Sequence, residues 1–302
     1  MDRPDRIFCL GSPGAWISVR GSDAFRFLQT QFSNDLDRSE AHPATYGLWL
    51  DRKGKIDADS HVLRRGDEDF VLYSVGCPGG ALCARFERYL IADDVVVTDL
   101  GSGVAVCSAI GMGVPEALGV EPPASGCFAT AEDCHVFEGR RGPAPQFEIV
   151  GPVERISSVA DRLRDSGFRE ESESAFEGLR IEAGFPAVPV DAGGGELPQE
   201  AGLESAAVSF TKGCYLGQEV VAKVQNSGGF RRRLCRVSGS EAPPRAGDEL
   251  VQGETVVGWM RSVAETECGW IGFALMKHRQ VDRESELRTA EGTIAVRMGE
   301  PV

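Results

Sequence analysis

Two things the chain lacks are histidine in a catalytic setting and cysteine at metal spacing. Its 302 residues include 4 histidines, His42, His61, His135 and His278. None stands in a nucleophile–base pattern, so a Cys–His hydrolase has no support. The 9 cysteines, at positions 9, 77, 83, 107, 127, 134, 214, 235 and 268, form no Cys-x-x-Cys pair and no ferredoxin run. Such an odd, scattered set suits a reducing compartment with mostly buried thiols, and predicts no permanently bound metal or iron–sulfur cluster. Long apolar runs are missing too: nothing approaches the ~18 residues of a membrane span. The start, Met1-Asp2-Arg3-Pro4-Asp5-Arg6, precedes too short an apolar segment for a secretory leader. A cytoplasmic protein with no membrane partner is expected. Positive charge is also scarce, with 32 Lys and Arg against 46 Asp and Glu and a net charge of −14. That argues against broad nucleic-acid binding, which rests on neutralising phosphates, and no nucleic-acid partner is expected. Arg231-Arg232-Arg233 is the one conspicuous basic run, read as a solvated strand start, with a local basic patch as the alternative.

What is present is an ordinary soluble composition, 42% hydrophobic and 26% charged, on a chain long enough for two or three domains. Trp16 to Arg20 alternates as a strand, and Gly21-Ser22-Asp23 offers a cap to a helix carrying Phe25, Leu28 and Phe32. Strands are expected over 45–50, 56–64, 70–75, 95–99 and 104–110, with a helix over 81–90. Residues 111–133 give little signal. Cys134 to Glu138 and Gln146 to Val150 form a hairpin pattern, followed by a helix bearing Ile156, Val159, Ala160 and Leu163. Ser174-x-x-Glu177 has the form of a capping box for the next helix, which ends at Gly184. Residues 185–202 are a long loop of the kind that is functional or mobile. Beyond residue 231, short β-rich runs alternate with turn clusters, as in a small antiparallel barrel. The pattern is α+β.

One stretch carries a chemical hint: Lys212-Gly213-Cys214-Tyr215-Leu216-Gly217-Gln218-Glu219. Leu216, Val220, Val221 and Val224 recur at helical spacing and Gly228-Gly229 supplies a stop, which puts Cys214 at or just before a helix N-terminus. There the helix dipole and Lys212 favour a thiolate. The alternative is a small buried cysteine in a tight turn that Gly213 and Gly217 permit. Gln218 and Glu219 fit either site contact or helix capping.

The same stretch, followed by Val-Val-Ala-Lys, closely resembles the signature of the YgfZ-type folate-binding proteins, relatives of the glycine-cleavage T-protein (aminomethyltransferase). Leu179-Arg180-Ile181-Glu182-Ala183-Gly184, Leu197-Pro198-Gln199-Glu200, Phe27-Leu28-Gln29-Thr30-Gln31 with Asn34-Asp35, and Gly54-Lys55-Ile56 are similar to other parts of that superfamily's pattern. The resemblance implies two ferredoxin-like folate-binding α+β modules and a C-terminal antiparallel β-barrel, in a cloverleaf around a central cavity. The boundaries it suggests are 1–50 with 134–228 for a discontinuous first module, 51–133 for the second, and 229–302 for the barrel. It implies tetrahydrofolate or a derivative as ligand, with Glu182, Arg180 and Lys212 as folate-binding residues. Glu182 would accept the pterin's amine and ring N–H; Lys212 would meet the glutamate carboxylates or tune the thiol. Cys214, a position that T-proteins lack, would stand at the cavity rim, with Gly213, Tyr215, Gly217, Gln218 and Glu219 as its motif surroundings. The implied role is support of iron–sulfur cluster assembly or repair in client enzymes, through transient partners and as a monomer. The T-protein also needs an aspartate near the folate's reactive nitrogen. The stretch matched to it, Leu72 to Ala81, has no carboxylate, which argues against the alternative of one-carbon transfer. A further alternative is a non-catalytic folate-binding scaffold whose thiol is structural.

Overall fold

The computed structural model describes residues 6–282, 285–290 and 295–302. In chain order the first half comprises β1 (Ile7–Gly11), β2 (Ala15–Arg20), α1 (Ala24–Gln31), β3 (Ala44–Leu50), β4 (Ile56–Arg64), β5 (Asp69–Ser74), α2 (Gly79–Glu87), β6 (Val96–Asp99) and β7 (Val104–Ile110). There follow α3 (Val114–Leu118), β8 (Phe128–Ala131), β9 (Cys134–Glu138), β10 (Gln146–Pro152), α4 (Val153–Asp165), β11 (Arg169–Glu170), α5 (Glu173–Ala183), α6 (Pro198–Ala201), α7 (Glu204–Ala207) and α8 (Gln218–Ser227). The last part is β12 (Arg232–Gly239), β13 (Glu249–Gln252), β14 (Thr255–Thr266), β15 (Gly269–Lys277), β16 (Leu287–Thr289) and β17 (Ala295–Pro301).

These strands build two open sheets and a closed barrel. One sheet runs β3-β4-β5-β2-β6, the other β11-β1-β7-β10-β9-β8, and β12-β15-β14-β13-β16-β17 close on themselves. The expected α+β class with a C-terminal barrel is therefore present. The sheets divide the chain differently from the suggested boundaries, however. Position 50/51 falls in the turn between β3 and β4, which pair from Ala44↔Leu63 to Leu50↔Ile56. Residues 15–99 thus form one sheet. The other takes β1 from the start of the chain and 104–170 from its middle. The helix over 173–183 is capped two residues earlier than the Ser174 pattern suggests: Ser172 is the N-cap, and its hydroxyl accepts the Ala175 N–H. The weak-signal stretch 111–133 contains α3 and β8.

Period-two alternation explains how the two sheets meet. On β4, Ile56, Ala58 and Val62 join the core under α1 and α2, while Leu63 faces the other sheet. On β5, Phe70 and Leu72 go to the first core, Val71 and Tyr73 to the second. From the opposing sheet Val106 of β7 and Val150 of β10 complete this shared layer, with Phe128 and Phe137. Tyr73 and Phe137 meet edge to face at 5.4 Å, a geometry contributing about 0.5–1.5 kcal/mol beyond burial. Two residues further along the same faces the inter-sheet layer stops being apolar. Asp59 and His61 stand there on β4, and Glu148 on β10 is paired in register with Ser108 on β7.

Candidate functional site

That polar end of the inter-sheet layer is a small cavity of about 70 Å³. Its wall draws on β4, β5, β10, the 139–141 turn, α5 and the segment 186–190. Asp59 is half-buried, and the surface it retains borders the cavity. Its carboxylate accepts from Tyr46 Oη (2.9 Å), Ser74 Oγ (3.1 Å) and the Cys77 thiol (3.5 Å). Burial nonetheless raises its pKa, outweighing those bonds. Glu148, fully buried, accepts from Tyr73 Oη (2.9 Å) and Ser108 Oγ (2.7 Å), and burial again raises its pKa against the charge of Arg141. Burial also works against the Arg141 charge, but Glu148 and Glu173 prevail and hold that guanidinium above its ordinary value. His61 is pushed down to about 3, first by burial and then by the Arg140 charge, so it is a neutral ring at physiological pH. The thiol that donates to Asp59, Cys77, is pushed up to about 12 by burial and then by Asp59, and stays protonated.

Arg140 stands out in this wall. Its guanidinium lies 4.2 Å from the Tyr46 ring centroid and 4.6 Å from that of Phe185, between two aromatic faces. Its Nε is buried without a hydrogen-bond partner among the described residues, and no ion pair engages its other nitrogens there. A buried orphan donor of this kind costs about 1–3 kcal/mol unless something fills it. The cavity thus offers two carboxylates able to accept N–H groups and one guanidinium able to donate to an electron-rich atom.

The residues expected from the sequence divide between this cavity and other places. Arg180 reaches it: buried on α5, it donates to Asp191 Oδ2 (2.8 Å), Glu177 Oε2 (2.9 Å), Ser262 Oγ (3.2 Å) and the Phe185 carbonyl, tying helix, loop and barrel together. Glu182 does not. Two positions on along a helix lies nearly the opposite face, and Glu182 is exposed on a separate cleft of about 750 Å³ between α5 and the barrel. Glu148, not Glu182, is the glutamate of the cavity. The Leu72–Ala81 stretch does lack a carboxylate, but Asp59 on the neighbouring strand hydrogen-bonds Ser74 within it. A carboxylate is therefore present in space although absent in that segment.

Lys212 is also elsewhere. Its buried ammonium donates to Gln29 O (2.8 Å), Gln29 Oε1 (3.0 Å), Phe32 O (2.9 Å) and Asn34 O (2.7 Å), satisfying the end of α1 and the turn beyond it. Burial lowers its pKa to about 8. With its donors so engaged, it serves the fold rather than a ligand's carboxylates. Cys214 is exposed, in the loop three residues before the N-cap Gly217. The cavity wall includes none of residues 204–231 among the described residues, so the thiol is not at its rim. Tyr215 is buried beneath the Lys212 ammonium at 5.5 Å, its hydroxyl without a partner among the described residues. Gly217 is a true backbone requirement: φ is 84° and a Cβ would come 2.6 Å from the Asp51 carbonyl. Gly213 meets no such constraint; a Cβ there has nothing within 4 Å. Gln218 opens α8, and Glu219, exposed in its first turn, suits the positive helix end. The helix ends at Gly228 with φ 62°, as the Gly-Gly stop indicates.

Sequence reasoning missed Asp59, His61, Arg140 and Glu148. For the three strand residues the available signal was a charged or ring-polar residue inside a largely apolar strand, as in Gln146-Phe147-Glu148-Ile149-Val150; Arg140, in the turn between β9 and β10, carried none.

Comparison with known proteins agrees with this architecture. Residues 12–118 match the family model described as the GCVT N-terminal domain. A "tRNA-modifying protein YgfZ" of Escherichia coli O157:H7 is 26% identical over 286 residues, covering 92% of this chain and 87% of that protein. Its counterpart in Yersinia enterocolitica is 25% identical over 244 residues, covering 78% and 72%. Among solved structures, the glycine cleavage system aminomethyltransferase T of Bartonella henselae superposes with a TM-score of 0.84 at 20% identity, covering 97% of this chain and 85% of that one.

Proposed function

We propose, from the similarity of nearly the whole chain to YgfZ proteins and to the GcvT fold, that it is a YgfZ-type protein that binds a reduced folate in the inter-sheet cavity and acts in association with tRNA modification. The observation that carries the reading is the donor–acceptor set of the cavity. A pterin presents an amine and ring N–H groups that suit carboxylates, and a carbonyl that suits a guanidinium. Asp59 and Glu148 would accept, Arg140 would donate, and its orphan Nε supports a partner there. Bound tetrahydrofolate would supply one-carbon chemistry; the chain's own residues bind, orient and exclude water. At about 70 Å³ the cavity has room for only a few waters, below the ~300–1,000 Å³ of ordinary ligand pockets. Admitting a pterin therefore requires the 186–190 segment to shift outward. Its exposed Val190 and its place in the cavity wall leave it room to do so.

The exposed Cys214 belongs to a second part of the proposal, support of iron–sulfur client enzymes. An accessible thiol outside the cavity can meet a transient partner without displacing the ligand. Calorimetry with tetrahydrofolate tests the first part. Wild type binds, and Arg140→Ala and Asp59→Asn each weaken binding about tenfold or more; unchanged affinity in both variants would move the ligand out of this cavity. Activity of a purified iron–sulfur client matured with and without the protein tests the second, with Cys214→Ser as the variant expected to lose support.

One observation favours a second reading, folate-dependent one-carbon transfer. Asp59 supplies the cavity with the carboxylate that the Leu72–Ala81 stretch lacks. A turnover assay with tetrahydrofolate and an aminomethyl donor separates the two, since only a transferase accumulates a one-carbon folate and loses that activity in Asp59→Asn.

A further inference from the structure

Where β12, β14 and β15 of the barrel approach the β3–β4 turn and α6, the surface reverses the sign of the molecule. A cleft of about 990 Å³ there is lined by Lys55, Arg231, Arg232, Lys277 and Arg279, against Glu200 as its one lining acid among the described residues. On a chain of net charge −14, five cations around one groove make a local positive potential. Glu200 is already engaged by Lys55 (3.5 Å) and Arg232 (3.3 Å). Arg231 and Arg279 are exposed, and their guanidinium groups have no hydrogen bond or ion pair among the described residues, so both forks are free for an anion. Two aromatic side chains share the cleft. Trp259 is half-buried with the Lys277 ammonium 5.2 Å from its ring, and Phe230 lies tilted against His278 at 5.1 Å.

We propose that this cleft binds single-stranded RNA, through phosphates at Arg231 and Arg279 and base stacking on Trp259. A positive groove combined with aromatic platforms is the physical recipe for that ligand, whereas an acidic polypeptide would use the cations and leave the rings idle. Guanidinium planes also match phosphate oxygens two at a time. The inference leans on the proposed link to tRNA modification only for its choice of RNA, and it is independent of the folate cavity. The overall negative charge makes such binding weak at high salt and steeply salt-dependent.

Fluorescence anisotropy with a labelled RNA of about ten nucleotides, set against a polyglutamate peptide, is the test. Wild type binds the RNA at low salt, with log K falling linearly in log salt. The Arg231→Glu/Arg279→Glu double variant lowers that slope by about two. Trp259→Ala weakens binding about fivefold or more, and Trp259→Phe, which keeps a stacking ring and guards against a folding artefact, restores most of it. Tetrahydrofolate affinity of the double variant stays at the wild-type value, so loss of RNA binding and failure of the folate reading are separable. Absent RNA binding at low salt, an unchanged double variant, or polyglutamate bound as tightly as RNA would each overturn the proposal.

Discussion

The inter-sheet cavity and the Lys212–Glu219 loop use buried charge in opposite ways. In the loop, Lys212 has four oxygens around its ammonium, and its charge is consumed in closing α1. In the cavity, Arg140 has two ring faces and an unpartnered Nε among the described residues. A fully satisfied buried charge holds a fold together, while a partly satisfied one is poised for a ligand. The comparison teaches that the most distinctive sequence motif and the most reactive surroundings need not coincide. The motif's lysine and tyrosine are structural here, its thiol faces solvent, and the ligand-ready groups come from strands and a turn elsewhere.

Substitutions can break this comparison at either end. The largest effect is expected from Arg180→Met, which strands the fully buried Asp191. Urea unfolding should show a loss of about 3–5 kcal/mol, and a loss below about 1 kcal/mol would mean that the loop 185–191 is not anchored through this pair. Lys212→Met comes next. Leaving its acceptors unfilled costs about 2–4 kcal/mol of stability, yet folate affinity should hold, because the lysine serves α1 and not the ligand.

His61 gives a pH signature to the cavity. Its folded pKa is depressed to about 3 from an ordinary value of 6.5, so below 6.5 the unfolded chain binds a proton that the folded chain refuses. The neutral ring's stability contribution is complete above pH 6.5 and is lost as pH falls toward 3. Between pH 7 and 5 that amounts to about 2 kcal/mol. Melting as a function of pH should show this slope reduced in His61→Asn; an identical slope would place the titrating group elsewhere. The smallest effect is at Cys214→Ser, an exposed substitution expected to change stability by less than about 0.5 kcal/mol. A larger change would show that the loop depends on the thiol.

Much of the fold was legible because it rests on local periodicity. The β3–β4 hairpin, the β9–β10 hairpin, α4 with Ile156, Val159, Ala160 and Leu163, and the barrel all follow from alternation, helical spacing and turn residues. The pairing of sheets was not legible. β1 joins the far sheet through β7, and nothing local to Ile7–Gly11 reports a partner about a hundred residues away. The site was harder still. Asp59, Arg140, Glu148 and Arg180 lie on four separate segments, and each alone is one charge among many. Arg180 and Glu182 show how narrowly a motif can mislead: they are two residues apart on α5, yet one enters the cavity and the other faces a different cleft.

The most direct measurement is tetrahydrofolate calorimetry on Glu148→Gln beside Glu182→Ala. The account predicts that Glu148→Gln loses about tenfold or more in affinity, as expected when a charged acceptor becomes neutral, while Glu182→Ala binds as wild type does. Loss of binding in Glu182→Ala with Glu148→Gln unaffected would contradict it, and would move the folate from the inter-sheet cavity to the cleft beside the barrel.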